Sequence, residues 1–157
     1  MPLSRWANLA RLARIRCMHS TADEPWYHEG LRFECTRCGN CCTGAPGFVW
    51  LSAEELVELA RFLDEPVETV RALYTREAHR GTTLREKANG DCIFYDRVQG
   101  CTVYSVRPRQ CRTWPFWEST VRDPQAWEAT RRNCPGAGSG ELIPVEEITR
   151  RIRVIKL

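Results

Sequence analysis

Cysteine is the residue type in this sequence with the greatest capacity for chemistry, and its densest group lies around position 40. Cys35 and Cys38 have the Cys-x-x-Cys spacing, which lets one turn of chain offer two soft thiolate ligands to one metal ion. Gly39 follows where a tight turn favours a residue that adopts positive φ without strain. The same spacing recurs from Cys38 to Cys41, and this run wraps three corners of a 4Fe–4S cluster in bacterial-type ferredoxins.

Cys42 directly follows Cys41, and this adjacency indicates a second set of ligands. Neighbouring side chains project about 100° apart on a helix and to opposite faces of a strand, so we expect the two thiols to serve different sites. Cys134 precedes a proline, as does the remote ligand that completes a ferredoxin cluster, which favours the first site. The predicted ligands of the first site are Cys35, Cys38, Cys41 and Cys134. Those of the second site are Cys42, Cys92, Cys101 and Cys111.

Charged and aromatic side chains accompany these cysteines in the sequence. Two four-thiolate sites would together concentrate a charge of about −4, whether each holds zinc or an oxidised 4Fe–4S core. Cys111 is predicted to lie early in a short helix, whose N-terminal dipole would favour its thiolate. Arginines that would either compensate the thiolate charge or pair with carboxylates are Arg37, Arg107, Arg109 and Arg112. Aromatic residues that would either shield the metal from water or pack in the core are Phe94, Tyr95, Tyr104, Trp114, Phe116 and Trp117.

Other uses of the cysteines, and other catalytic motifs, explain this sequence less well. Disulfides are rare where cytosolic thiols are kept reduced, and an odd total of nine leaves at least one thiol over, which we assign to Cys17. A thioredoxin-like dithiol at Cys35 and Cys38 would leave the other cysteines without a role. The sequence has no Walker loop, dinucleotide-binding glycine motif, His-Glu-x-x-His or Gly-x-Ser-x-Gly. The histidines, which we expect on the surface because none has ligand spacing to a cysteine, are His19, His28 and His79.

Composition predicts one domain and a cytoplasmic location. With 157 residues, of which 43% are apolar, the chain is long enough to bury one modest core. Its formal net charge of +3 is too small to indicate nucleic-acid binding, and none is expected. No apolar stretch reaches the roughly 20 residues of a transmembrane helix, so no transmembrane segment is predicted. The N-terminus also lacks the apolar core of a secretory signal.

The predicted domain begins near position 30, where a basic amphipathic segment and its linker give way to the cysteine-rich sequence. Residues 1–30 are predicted to be a basic amphipathic helix followed by a linker, and residues 31–157 to be the cysteine-cluster domain. In the helix, Leu3, Trp6 and Leu9 share one stripe, and the arginines lie off it. This helix would pack on its own domain, dock a protein partner, contact a membrane surface or act as a targeting segment.

Short helices and strands must then position the ligands. The predicted fold class is α+β: a small domain with short helices and a short β-hairpin, organised around a cysteine metal cluster. Ser52 and Glu55 form a capping box for a helix that continues to Asp64. A second helix follows Pro66 and is predicted to end at Gly81. Strands are predicted at 48–51, 82–84, 92–95 and 101–104, and further helices at 108–111, from 124 to just before 134, and around 145–152.

Taken together, these residues resemble the YkgJ-type, or CxxCxxCC, cysteine-cluster family, which is described as a zinc- or iron-chelating domain. The resemblance extends from about Phe33 to Cys134. Its matching blocks are residues 35–42, 90–95, 100–104 and 107–116. The resemblance implies metal binding by the cysteines. Some relatives are identified as iron–sulfur proteins or oxidoreductases, and a similar module looks to be part of flagellin lysine methylases, so no single activity is implied.

Metal binding through an eight-cysteine cluster is therefore the function that the sequence predicts, with metal ions as the expected partners. The triple spacing and the Cys134-Pro135 pair favour iron, held as an iron–sulfur cluster. The Cys38-Gly39 knuckle indicates zinc as the alternative. Two further hypotheses are a metal-dependent redox enzyme or electron carrier, and a structural zinc module for protein–protein interaction.

Overall fold

The computed structural model describes residues 24–154, which form short helices and three antiparallel strand pairs. In chain order, the elements are β1 (Leu31–Phe33), α1 (Ala53–Leu63), α2 (Val67–Tyr74), β2 (Thr75–Ala78), β3 (Gly81–Leu84), β4 (Tyr95–Asp96), β5 (Gly100–Cys101), a 3-10 turn (Tyr104–Val106), α3 (Arg109–Thr113), α4 (Glu118–Val121), α5 (Pro124–Asn133), β6 (Glu141–Ile143) and α6 (Val145–Val154). The predicted α+β class is confirmed. The helix predicted in residues 1–16, Cys17 and His19 lie outside the described residues. Within the described range, no helix is long and apolar enough to cross a membrane.

The first core lies between α1, α2 and the β2–β3 hairpin. The predicted capping box starts α1, because the Glu55 backbone N–H donates to Ser52 Oγ at 3.2 Å and the Ser52 N–H donates to Glu55 Oε2 at 2.8 Å. The helices then bury one apolar stripe each against the hairpin and the segment that carries Phe94. The buried members of the first core are Leu51, Leu56, Leu59, Ala60, Val70, Leu84, Phe94 and Val103.

The second core joins the beginning and the end of the described chain. β1 pairs antiparallel with β6, with Leu31 opposite Ile143, and α4, α5 and α6 pack nearby. Trp26 and Tyr27, in the stretch predicted to be a linker, pack against this core, and the Trp26 indole donates to the Val121 carbonyl at 2.7 Å. The buried members of the second core are Leu31, Phe116, Val121, Trp127, Cys134, Ala137 and Ile148.

Helix α3 connects the two cores. The Gln110 side chain is buried, donates to the Phe48 carbonyl at 2.7 Å and accepts from the Trp50 N–H at 3.0 Å. The carboxylate of Glu55 accepts from the Arg109 backbone N–H at 2.5 Å and from its guanidinium at 2.8 Å. On its other side α3 contacts α6. Cys111 is therefore fixed between two packed bodies, although its own helix has little more than one turn.

The second helix is shorter than its sequence pattern predicts, and the prediction that it ends near Gly81 is wrong. α2 ends at Tyr74, and the next four residues pair as β2 with β3. Thr75 leaves the helical conformation, although its hydroxyl still donates to the Arg71 carbonyl at 2.7 Å. The pairing with Thr82, Thr83 and Leu84 overrides local helix propensity, because threonine favours a pleated, half-buried surface.

The strand predictions were partly right. Residues 82–84 do form a strand, whereas residues 48–51 make only an isolated bridge, from Trp50 to Thr83. The hairpin predicted at 92–104 is shorter in the structure: only Tyr95 and Asp96 pair, with Cys101 and Gly100 respectively. The chain then enters a 3-10 turn at Tyr104. The pairing of β1 with β6 was not predicted. The predicted late helices correspond to α3, α5 and α6.

Candidate metal centre

The segment from Cys35 to Cys42, called the cysteine loop below, is tied to one core at each end. At its start, the Glu34 N–H donates to the Gly136 carbonyl at 3.2 Å, beside the second core. At its finish, the Cys42 carbonyl accepts from the Cys92 N–H at 2.7 Å. A tight turn closes the loop, since the Cys42 N–H donates to the Gly39 carbonyl at 2.7 Å. The loop is thus held by backbone hydrogen bonds.

The close approach of the Tyr95 side chain and one side-chain hydrogen bond fix the middle of the loop. Gly39 has φ of +81°, and a Cβ at this position would lie 2.3 Å from the Tyr95 hydroxyl oxygen, so glycine is required for both conformation and space. The Asn40 amide donates to the Asn133 carbonyl at 2.9 Å, which fixes the loop beside Cys134. Sequence reasoning missed Asn40, because an amide inside a ligand run carries no signal of its long-range partner.

The remaining cysteines are presented by three different elements. Cys101 lies in β5 opposite Tyr95, and Cys92 precedes β4, with its carbonyl accepting from the Tyr95 N–H at 2.9 Å. Cys111 lies in α3. Cys134 ends α5, where its N–H donates to the Thr130 carbonyl at 2.8 Å. Elements from both cores therefore supply thiols to one region.

One cavity, of about 270 Å³, collects all of the predicted ligands. Cys35, Cys38 and Cys41 are exposed at this cavity, whereas Cys134 is buried. The cysteines that line it are Cys35, Cys38, Cys41, Cys42, Cys92, Cys101, Cys111 and Cys134. The cavity is therefore open to solvent along the cysteine loop and closed on the side of the cores.

The side chains of Cys41 and Cys42 do not diverge as the sequence argument predicts. Their Sγ atoms lie 3.8 Å apart. The prediction assumed the regular side-chain directions of a helix or a strand, but residues 40–42 form a turn, in which adjacent side chains can converge. The premise on which these two residues were divided between sites is wrong.

The contact between Cys41 and Cys42 shifts the pKa values of their thiols in opposite directions. The hydrogen bond from Cys42 lowers the pKa of Cys41 to about 7, and the positive charge of Arg107 acts in the same direction. The hydrogen bond to Cys41, together with burial, raises the pKa of Cys42. In this pair the ionised form is therefore favoured at Cys41.

Burial is the main cause of the pKa shifts of the thiols that lie deeper in the cavity. It raises the pKa of Cys92 and of Cys101, and it raises the pKa of Cys111 to about 12. The expectation that a helix N-terminus would favour the Cys111 thiolate is therefore wrong. A helix of five residues has a weak dipole, and the cost of desolvating a thiolate there exceeds it.

Two of the four predicted arginines lie at the cavity. Arg37 and Arg107 line it, and their guanidinium carbons lie 4.2 and 3.6 Å from the centre of the Tyr104 ring. Arg109 is instead paired with Glu55, and Arg112 is exposed and does not line the cavity. Compensation of thiolate charge is therefore available from Arg37 and Arg107.

A lysine that sequence reasoning missed lies near the deeper thiols. Lys87 donates from Nζ to the Tyr95 carbonyl at 2.5 Å, and its charge partly offsets the raised pKa of Cys92. Lys87 precedes Cys92 by five residues, so its proximity in sequence was a usable signal. Only arginines had been predicted to compensate the thiolate charge.

The predicted aromatic residues divide between the cavity wall and the cores. Phe94, Tyr104, Trp114 and Trp117 line the cavity, so they restrict access of water to it. Phe116 is fully buried in the second core instead. Of the histidines within the described range, neither His28 nor His79 lines the cavity, and His79 packs edge-on against Trp50 at 5.4 Å.

The cysteines surround the cavity without converging on one point. Among residues 24–154, no three His, Cys, Asp or Glu side chains are arranged to hold one metal ion. Cysteine side chains turn about a single torsion, χ1, and the backbone already places all eight around the same space. Coordination would therefore require at least rotation of the thiols into the cavity.

Comparisons with known proteins identify a family and a curated relative. Residues 34–135 match the family CxxCxxCC, whose description is "Putative zinc- or iron-chelating domain". The chain is 32% identical over 91 residues to a protein of Methanocaldococcus jannaschii named "Uncharacterized protein MJ0661". That match covers 57% of this chain and 48% of the relative, so the chain spans about half of that protein's length. No solved structure matches the chain.

Proposed function

We propose that this chain, which belongs to the CxxCxxCC family of zinc- or iron-chelating domains, binds metal through the thiolates of its eight-cysteine cavity. The observation that carries the proposal is that cysteines from the loop, the β4–β5 hairpin, α3 and the end of α5 all line one cavity. The ligand set is Cys35, Cys38, Cys41, Cys42, Cys92, Cys101, Cys111 and Cys134. Metal ions are the partners that this set recognises.

The donor chemistry fits a metal–thiolate centre, because thiolates are soft ligands that iron and zinc both accept. The Sγ atoms of Cys41 and Cys42 lie 3.8 Å apart, so two of the thiols already enter the cavity side by side. Arg37 and Arg107 supply positive charge where bound thiolates would accumulate negative charge, and Trp114 and Trp117 cover part of the cavity wall.

Zinc and the iron of iron–sulfur clusters are among the metals that an all-thiolate donor set selects. We propose iron, held as an iron–sulfur centre, with zinc as the alternative that the same ligands accommodate. An iron–sulfur centre would supply one-electron chemistry, whereas zinc would supply structural cross-linking. In both cases the protein residues hold the centre, compensate its charge and limit access of water.

Anaerobic purification followed by visible absorption and elemental analysis tests the proposal. We expect stoichiometric iron with acid-labile sulfide and a broad visible band, or stoichiometric zinc in a colourless protein. The Cys42→Ser variant should lose metal, and Cys17→Ser, which removes a thiol outside the ligand set, should retain it. A folded parent protein without stoichiometric iron or zinc would contradict the proposal.

Electron transfer is the second candidate function. The exposure of Cys35, Cys38 and Cys41 favours it, because an iron–sulfur centre can exchange electrons with a partner only if it lies near the surface. A reversible one-electron change in the visible spectrum during reductive titration would support this role. A spectroscopically silent zinc protein would exclude it and leave the structural zinc module.

A further inference from the structure

Tyr104 is the partner of both arginines that line the cavity. The guanidinium carbons of Arg37 and Arg107 lie 4.2 and 3.6 Å from the centre of its ring, within the range of a cation–π contact. Among residues 24–154, no carboxylate lies within ion-pair distance of either guanidinium. In the described chain the aromatic ring therefore takes the place of an acidic partner.

Arg37 lies in a part of the cysteine loop that has no backbone hydrogen bonds. Residues 35–38 belong to no helix or strand, and they make no backbone–backbone hydrogen bond with other described residues. Arg37 also has φ of +56°, in the left-handed region that residues with a Cβ seldom adopt. Such a conformation persists only where surrounding contacts hold it. The contact of the Arg37 guanidinium with the Tyr104 ring supplies one.

Tyr104, in contrast, lies on a segment that is fixed by its own hydrogen bonds and by burial. It begins the 3-10 turn, in which the Val106 N–H donates to the Val103 carbonyl at 3.0 Å. Val103 is 1% exposed and belongs to the first core. Arg107 Nε donates to the Tyr104 carbonyl at 3.0 Å, so the second guanidinium is held by the same turn. The Tyr104 ring therefore offers a fixed surface at the cavity.

We propose that Tyr104 is a positioning residue, which holds residues 35–38 at the cavity through the stacked guanidinium of Arg37. The inference rests on the proposed function, because the segment that Tyr104 positions carries two of the proposed ligands. Arg37 lies between Cys35 and Cys38, so a fixed Arg37 restricts where both thiols can move before metal binds. Preorganisation of this kind strengthens binding, because less chain has to be ordered when the metal is bound. Arg37 thus orders the loop in addition to supplying positive charge.

Zinc-competition titration of the chelated chain separates positioning from charge compensation. Tyr104→Leu keeps both arginine charges but removes the ring, and it should weaken zinc binding by about fivefold, the order of one cation–π contact. Tyr104→Phe keeps the ring and should bind zinc like the parent. The matched control is Arg80→Ala, which removes an exposed arginine that does not line the cavity and should leave the affinity unchanged.

A double-variant comparison shows whether Tyr104 acts through Arg37. Arg37→Ala removes the guanidinium, so Tyr104→Leu should weaken zinc binding less in that background than in the parent. Independent roles would instead give the same effect of Tyr104→Leu in both backgrounds.

Limited trypsin digestion of the chelated, reduced chain supplies a readout that needs no bound metal. Trypsin cleaves after an arginine only when that side chain enters its specificity pocket, which a stacked guanidinium cannot do. Cleavage after Arg37 should therefore be faster in Tyr104→Leu than in the parent or in Tyr104→Phe. Cleavage after Arg80, in the turn between β2 and β3, should be unchanged. Mass spectrometry would measure both cleavage rates.

Three results would overturn the positioning role of Tyr104. They are parental zinc affinity in Tyr104→Leu, an equal effect of this substitution with and without Arg37, and equal acceleration of cleavage after Arg37 and Arg80. A parent chain that binds no metal would instead contradict the proposed function, and the cleavage rates would still test the contact between Arg37 and Tyr104.

Discussion

Gly39 has a conformation and a neighbour that both exclude a side chain. Its φ of +81° lies in the left-handed region, and its Cα faces the Tyr95 ring. A methyl group here would carry the strain of positive φ and would also displace Tyr95 or the loop. Since Tyr95 belongs to the hairpin that presents Cys92 and Cys101, displacement would separate two groups of thiols.

We therefore predict that Gly39→Ala lowers both metal content and stability. The matched control is Gly44→Ala, because Gly44 also has positive φ, of +103°, but a Cβ there would meet nothing within 4 Å. Gly39→Ala should cost at least about 1 kcal/mol more than the control in the free energy of unfolding, the extra cost being steric. Elemental analysis and urea denaturation would measure the two effects. Equal loss of stability and metal in both variants would contradict the steric argument.

At this scale, the identity of the thiols could be predicted from the sequence, but their directions could not. Cysteine spacing identified the residues that line the cavity, because soft ligands at short spacing have few other uses. The contact between Cys41 and Cys42 depends on the turn that Gly39 begins. The positive φ of Gly39 was predicted, whereas the resulting side-chain geometry needs the three-dimensional position of the hairpin.

At the scale of elements, α1 and α3 share one carboxylate. Glu55 is 8% exposed and accepts three hydrogen bonds, from the Ser52 N–H, from the Arg109 N–H and from the Arg109 guanidinium. It therefore caps its own helix and also satisfies a donor at the first turn of α3. Cys111 lies two residues beyond Arg109, so this carboxylate positions a predicted ligand that it does not touch.

Removal of this carboxylate in Glu55→Ala should destabilise the protein by about 3 kcal/mol, because a buried partner of an arginine and of two backbone donors is lost. The variant should also bind metal more weakly, since α3 would lose its attachment to α1. The matched control is Glu54→Ala, which alters an exposed carboxylate in the same first turn of α1. Thermal unfolding and a metal-competition titration would measure both effects. A variant with normal stability and normal metal affinity would contradict the positioning role.

The start of a helix could be predicted from the sequence, whereas the lengths and pairing partners of several elements could not. The capping box of Ser52 and Glu55 is local, and it was predicted correctly. The end of α2 at Tyr74 and the pairing of Leu31 with Ile143 depend on partners distant in sequence. Local propensity and periodicity carry no information about such partners, so these features could not be predicted.

At the scale of the whole molecule, the cysteine cavity lies where the two cores meet. The first core presents Cys92 and Cys101, and the second contains Cys134. The loop is tied to both by backbone hydrogen bonds, and α3 is the other connection. Each core is small, so neither provides a large reserve of hydrophobic stabilisation. A bound metal would therefore join two modest bodies into one cooperative unit.

Removal of metal by a chelator should uncouple the two cores. Structural zinc sites contribute about 10 kcal/mol or more in small domains, so the melting temperature should fall by more than about 10 °C. Without bound metal, the deeper thiols would stay protonated, because burial raises the pKa of Cys92, Cys101 and Cys111, and they would not cross-link the cores. The cysteine loop would then be held mainly by its few backbone hydrogen bonds. The helix pair α1 and α2, with the β2–β3 hairpin, should retain the most structure because the first core needs no thiolate ligand.

Hydrogen exchange measured by mass spectrometry would locate the change. Peptides that cover 35–42 and 92–111 should lose protection in the chelated protein, whereas those from α1 and α2 should stay protected on the same timescale. Metal restored to the chelated sample should recover both the protection and the melting temperature, which separates metal loss from irreversible damage. If protection and melting temperature were the same with and without metal, the cores would be joined by α3 and the hydrogen bonds of the loop alone. The cavity would then be an accessory to a fold that the polypeptide maintains by itself.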